Sequence, residues 1–193
     1  PTRRSSDLES CKKISYLFPR AHAVAYVMMA FRIAWFKVYH PLAFYAAYFS
    51  IRAKAFDLRI MTGDLKTQMT EFNRIKALDR GASPKDKDLM SALEVSMEMY
   101  QRGYRFVNVD IQHSEARRFS IKDGALLPPF LAIDSLGETV ADAIVAEREE
   151  RPFTSLKDLQ RRCKVSNTII DLMKELKCCG ELPEDEQMSL FGA

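Results

Sequence analysis

Two short stretches of the chain combine residue types that could hold a phosphate. In residues 133–141 (IDSLGETVA) the order runs apolar, two polar, apolar, Gly137, three residues, Ala141. A tight turn ending in glycine lets a ligand approach the backbone closely. The first N–H groups of the following helix, at Glu138 and Thr139, lack partners within that helix and can face an anion. Residues 153–170 (FTSLKDLQRRCKVSNTII) repeat the theme in degenerate form. Lys164 stands at the turn, Ser166 at the N-cap position, and Asn167 and Thr168 in the first turn behind it. Arg161 and Arg162 precede this turn, where they suit either a ligand or simply the C-terminal end of a helix dipole. A third group lies at Arg20 and His22, at the start of a long apolar stretch. Helical spacing puts His22, Ala25, Met29, Arg32 and Phe36 on one face, so Arg20, His22 and Arg32 are candidates to hold a triphosphate. Packing or capping is the competing role for His22.

The pattern at 133–141 resembles a helix-hairpin-helix element, with Ser135 where the first glycine is usual and Ala141 at the small packing position. Two such units form a module that grips duplex backbone without reading bases. Near the end, Gln187-Met188-Ser189-Leu190-Phe191 resembles the pentapeptide by which bacterial DNA-handling proteins hook onto a sliding clamp. No Walker loop, GxGxxG, HExxH or Ser/His/Asp arrangement is present. Asp110 is read as a solvated strand residue and not as a metal ligand. Cys11, Cys163, Cys178 and Cys179 have no CxxC spacing and are read as free thiols in a reducing cytosol.

The elements that must position these groups are mostly helices. Of 193 residues 47% are hydrophobic and only seven are glycine, which excludes wholesale disorder and disfavours a sandwich or barrel. Lys and Arg outnumber Asp and Glu by 29 to 26, a balance that permits nucleic acid without requiring it. Helices are expected at 21–39, 41–53, from Asp57 to a break at Gly63, and 64–80 with Gly81 as stop; a further helix runs from Ser83-Pro84 to Gln101. The first is apolar on nearly every face and is expected to be buried in protein. The apolar runs 23–31 and 41–51 are each shorter than the roughly 20 residues of a spanning helix, so no membrane segment is expected. Residues 105–111 and 117–121 read as a small β-hairpin with a turn at Asp123-Gly124. After Pro128-Pro129 come helices at 138–148, 155–162 and 166–177, then a flexible tail from 181. Residues 1–8 (PTRRSSDL) back-translate to the end of a common sequencing adapter and are expected to be a non-native scar, which would place the start of the chain inside a longer protein.

The stretches 18–53 (FPRAHAVAYVMMAFRIAWFKVYHPLAFYAAYFSIRA) and 126–149 (LLPPFLAIDSLGETVADAIVAERE), with the terminal QMSLF, resemble in content and order the C-terminal end of the PolC-type DNA polymerase III alpha subunits, the replicative polymerases of low-GC Gram-positive bacteria. The resemblance implies that residues 9–53 end a fingers domain, that 54–182 form a duplex-binding domain with a helix-hairpin-helix pair at about 130–180, and that 183–193 are a tail carrying the clamp peptide. It implies contacts of Gly137, Glu138, Thr139, Lys164, Ser166, Asn167 and Thr168 with duplex DNA, of Gln187, Met188, Leu190 and Phe191 with the clamp (beta subunit), and of Arg20, His22 and Arg32 with incoming dNTP. The nucleotidyl-transferring palm and its Mg²⁺ would lie upstream, leaving no cofactor and no catalytic residue here. A cytoplasmic, nucleoid-associated location without membrane contact follows. The alternative is a non-catalytic helix-hairpin-helix, clamp-associated repair module.

Overall fold

The computed structural model describes residues 19–185, and the chain divides into two compact units, Pro1–Pro41 and Leu42–Ala193. In the first unit a single helix is described, α1 (Arg20–Tyr39), entered through Pro19 in an extended conformation. None of its residues is buried, and Tyr26, Phe31, Trp35 and Phe36 lie at least half exposed. The burial expected from its sequence is therefore not supplied by the described residues. A helix apolar on all faces needs neighbours on all faces. By length and composition α1 is also sufficient to cross a membrane. The run 23–31 is closed by Arg32 in sequence, but the helix continues through Arg32 into a second apolar run; length and composition alone do not make it a membrane span.

The second unit is built from helices that begin and end where the sequence places their caps. In α2 (Pro41–Ile51), Tyr45 and Phe49, one turn apart, face inward. Asp57 caps α3 (Leu58–Met61) by accepting the Ile60 N–H at 3.0 Å, and Asp64 caps α4 (Leu65–Ala77) through the Thr67 N–H at 2.7 Å. A 3-10 turn, Asp79–Gly81, leads to α5 (Pro84–Gln101), opened by a reciprocal capping box between Ser83 and Asp86. These helices enclose one core around Tyr45, Phe49, Met61, Ile75, Leu93 and Met99. Its buried polar groups are mutually satisfied. Ser96 Oγ donates to Gln68 Oε1 at 2.7 Å, and Gln68 Nε2 and the Tyr100 hydroxyl both donate to the Met61 carbonyl.

A two-stranded antiparallel hairpin follows, but its strands are β1 (Ser120–Lys122) and β2 (Ala125–Leu127), in register Ile121 to Leu126. Asp123 and Gly124 both take positive φ, 50° and 75°, as a two-residue hairpin turn of the primed type requires. Residues 105–111, expected as the partner strand, make only a one-residue bridge, Phe106 to Leu126. Their polar groups go elsewhere: Ile111 N–H donates to the Cys178 carbonyl and the Asn108 amide to the Leu176 carbonyl. Asp110 is accordingly not a strand residue. It is half-buried and receives the Gln112 N–H, the Lys122 ammonium at 2.7 Å and a 2.7 Å contact from His113. Hydrogen bonds from these groups outweigh burial and hold its carboxyl below the ordinary range.

A 3-10 turn, Phe130–Ala132, then α6 (Glu138–Glu150), α7 (Leu156–Cys163) and α8 (Asn167–Glu175) enclose a second core around Phe130, Ile133, Ile144, Leu159, Val165 and Met173. Cys163, Cys178 and Cys179 are free and buried in it, and burial pushes Cys163 up to about 11 and Cys178 up to about 12, so both stay as unreactive thiols. Cys11 lies outside the described residues. The tail expected to be flexible begins as a docked strap. The carbonyls of Pro183 and Glu184 accept the Leu156 and Lys157 N–H groups at 2.9 and 3.2 Å, and Glu184 and Asp185 pair with Lys174 and Lys157. The first turn of α7 has orphan donors, and the strap's main chain satisfies two of them.

Candidate nucleic-acid interface

The first hairpin is pinned from below and open above. Ile133 and Leu136 are buried, while Asp134, Ser135, Gly137, Glu138 and Thr139 face outward. Ile133 N–H donates to the Phe130 carbonyl and Leu136 N–H to the Ile133 carbonyl, closing the turn. The residue forced to positive φ, at 64°, is Ser135, where a glycine is usual; Gly137 has an ordinary φ of −75°. A Cβ on Gly137 would meet nothing within 4 Å. Glycine there therefore serves neither the turn's conformation nor its packing, and leaves room on the outer surface. No side chain caps α6, and the N–H groups of Gly137, Glu138 and Thr139 donate to no acceptor among the described residues. Ala141 is fully buried at the expected packing position. Ahead of the turn stands only the three-residue 3-10 segment, not a full helix.

Charge at this hairpin is set by a residue the sequence did not single out. Arg117 reaches Asp142 through Nε at 3.1 Å and through Nη2, and Glu138 Oε2 through Nη1 at 2.6 Å. Hydrogen bonding to Arg117 holds the Asp142 carboxyl low. The partners are 25 and 21 residues apart in sequence, and no local spacing signals such a pairing.

The second hairpin keeps helix, turn and helix. Lys164 ends α7 in the left-handed conformation, φ 54°, a position that favours glycine. Val165 is buried, and Ser166 Oγ accepts the Ile169 N–H at 3.3 Å. Lys164, Ser166, Asn167 and Thr168 are all exposed, with the Asn167 amide oxygen taken by Gln160. Behind the turn, Arg162 is structural. It binds Glu147 at 2.9 Å and Asp158 at 3.3 Å, donates to the Arg151 carbonyl and covers the Phe153 ring at 4.8 Å. Asp158, fully buried, also meets Arg161 at 2.9 Å, Arg151 at 3.2 Å and the Thr154 N–H. Burial pulls its carboxyl up, yet the Thr154 N–H and the guanidinium groups prevail and hold it below the ordinary range.

Arg20, His22 and Arg32 belong to the other compact unit, all exposed on α1. His22 packs edge-on against Tyr26 at 4.5 Å and Arg32 Nη1 lies 3.9 Å from Met29 Sδ. Gln187, Met188, Leu190 and Phe191 lie outside the described residues. Among the described residues no group of three or more His, Cys, Asp or Glu side chains could hold a metal ion.

Residues 103–187 match the family described as the helix-hairpin-helix motif. Over 184 residues the chain is 48% identical to the DNA polymerase III PolC-type of Caldanaerobacter subterraneus subsp. tengcongensis, and over 187 residues 49% identical to that of Streptococcus suis and 47% to that of Streptococcus pyogenes serotype M12. Each alignment covers 95% of this chain and 13% of the relative, so the chain spans about an eighth of the length of these relatives.

Proposed function

The chain is homologous over 95% of its length to PolC-type DNA polymerase III, and from that premise we propose that it is the C-terminal, duplex-gripping portion of such a polymerase. The observation that carries the DNA-binding part is the match of 103–187 to the helix-hairpin-helix motif, with both hairpins turned outward from one core. The backbone N–H groups of the exposed residues 137–139 and the exposed Lys164 offer phosphate contacts, which carry no base information. Taken by itself, the chain is a non-catalytic helix-hairpin-helix module related to PolC.

Template-directed nucleotidyl transfer is proposed only for the whole polypeptide, with Mg²⁺ held by a palm outside this chain. There α1 would end the fingers, other parts of the polymerase would cover its apolar surface, and Arg20, His22 and Arg32 would meet the incoming dNTP. Arg32, in the body of the helix, also disfavours the alternative of a bilayer around α1. Gln187, Met188, Leu190 and Phe191 would dock on the sliding clamp, and a cytoplasmic, nucleoid-associated place follows from these roles. Titrating the 193-residue chain against unrelated 20-base-pair duplexes at several salt concentrations tests the DNA reading. Weak, sequence-indifferent binding that falls steeply with salt is expected. Salt-independent affinity, or strong preference among unrelated duplexes, would overturn it.

A further inference from the structure

We propose that Arg117 is a positioning residue of the first hairpin, holding and neutralising Glu138 and Asp142 so that the start of α6 can receive a DNA phosphate. The proposal rests on the duplex-binding reading above. Glu138 is the first residue of α6 and Asp142 lies one turn later on the same face, both side chains about half exposed or more. Carboxylates there suit the helix dipole of the free protein. They oppose the arrival of a phosphate, because they set two negative charges beside the N–H groups of the exposed residues 137–139. Asp134, exposed on the same turn, adds a third.

Against them stands one guanidinium. Arg117 spends Nε and Nη2 on both oxygens of Asp142 and Nη1 on Glu138. A two-pronged grip on one carboxylate with a third bond to another fixes the direction of all three side chains, which a lysine's point charge would not. Arg117 also stands two residues before Phe119, whose N–H is held by Ser50 Oγ at 2.9 Å, so the backbone that carries the fork is tied to α2. The result is a carboxylate pair drawn toward the 117 segment and partly cancelled, instead of two charges free to face the duplex.

The test is a neutralisation series in the full 193-residue chain, read as duplex affinity against salt beside thermal denaturation. Arg117→Gln is expected to weaken duplex binding by roughly fourfold at low salt, the scale of losing one compensating unit charge about five ångströms from a phosphate. Adding Glu138→Gln and Asp142→Asn to Arg117→Gln should restore affinity to the wild-type level or beyond. A merely structural tie would not be rescued by neutral partners, because none of the three charged bonds returns. No loss in Arg117→Gln would overturn the proposal. So would a triple variant as weak as the single one, which would assign Arg117 to direct phosphate contact. Lys164→Ala in the same assay separates the levels: a shallower salt slope there with an unmoved Arg117 series removes this inference alone. A wild-type chain that binds no duplex removes the underlying reading and this proposal with it.

Discussion

Lys164 is where conformation and charge make opposite demands, and replacing it by glycine separates them. At φ 54° an L-residue sits in the left-handed region, at a cost of roughly 1–2 kcal/mol relative to its preferred conformations. Glycine avoids that cost but gives up more backbone entropy on folding, roughly 0.5–1 kcal/mol. The Lys164 side chain is exposed and held by no ion pair or hydrogen bond among the described residues, so its removal should cost folding little. The net expectation is that Lys164→Gly leaves stability unchanged or raises it by about 0.5–1 kcal/mol. Lys164→Ala keeps the strain and gains nothing. For binding, one neutralised phosphate is worth about 0.9 in the slope of log affinity against log salt. From 50 to 200 mM salt, the wild type should therefore lose about 3.5-fold more affinity than either variant. Fluorescence anisotropy of a labelled duplex over that salt range, with urea denaturation of the same samples, checks both halves. A more stable glycine variant with an unchanged salt slope would show that Lys164 merely closes the turn, and would refute its role as a phosphate contact.

Three further outcomes are expected. Asp158→Asn removes the one buried carboxylate facing Arg151, Arg161 and Arg162, and should destabilise the chain by about 3 kcal/mol, near the lower bound for breaking a buried pair because two of the arginines reach solvent. Since the folded carboxyl is held below its ordinary value, its contribution is present above about pH 4 and lost as pH falls through the folded value. Denaturation curves of wild type and variant should therefore draw together as pH falls below about 4, and a gap that does not narrow in acid would refute this. Calorimetry of a synthetic 183–193 peptide against a bacterial sliding clamp should give heat that vanishes when Leu190 and Phe191 are both alanine, each anchor being worth roughly 1.5–3 kcal/mol before ordering costs. Equal heats, or none from either peptide, would remove the clamp from the account. In the whole polymerase Arg20→Ala should raise KM for nucleotide more than it weakens DNA binding, and unchanged nucleotide kinetics would leave Arg20 a structural role.

Most of the helical framework was legible because its signals are local. Asp57, Asp64, Ser83 with Asp86, Ser155 and Ser166 each accept a backbone N–H three residues on. A cap of this kind is written into four consecutive residues. What escaped depends on partners far along the chain. Residues 105–111 have the β-branched and aromatic texture of a strand, yet Phe106, Val109 and Ile111 are apolar because they enter the cores, and their spacing does not alternate. Apart from Leu126 at the one-residue bridge, the carbonyls that satisfy this segment belong to Leu176 and Cys178, in a loop no local pattern could place there. The strap at 183–185 reads as flexible in sequence for the same reason: its polar, proline-bearing composition says nothing about the open first turn of α7 to which it binds. In α1 the signal is local too, but the cover expected for an all-apolar helix is not supplied by the described residues.

On the proposed duplex-binding reading, the two hairpins, similar in sequence pattern, divide the requirements of phosphate binding between them. The second carries a cation at the apex, while Ser166 has already satisfied one of the donors behind it, so attraction there comes chiefly from Lys164. The first has no capping side chain and space beside Gly137, so its N–H groups are available, but it carries acidic side chains that Arg117 only partly offsets. Long-range attraction falls to the second hairpin, because charge acts over a Debye length whereas N–H donors act only in contact. On that reading the first hairpin would fix the strand once it has arrived. On this division Lys164 governs how affinity varies with salt, and the state of Glu138, Asp142 and Arg117 governs how firmly the duplex is held at any one salt concentration.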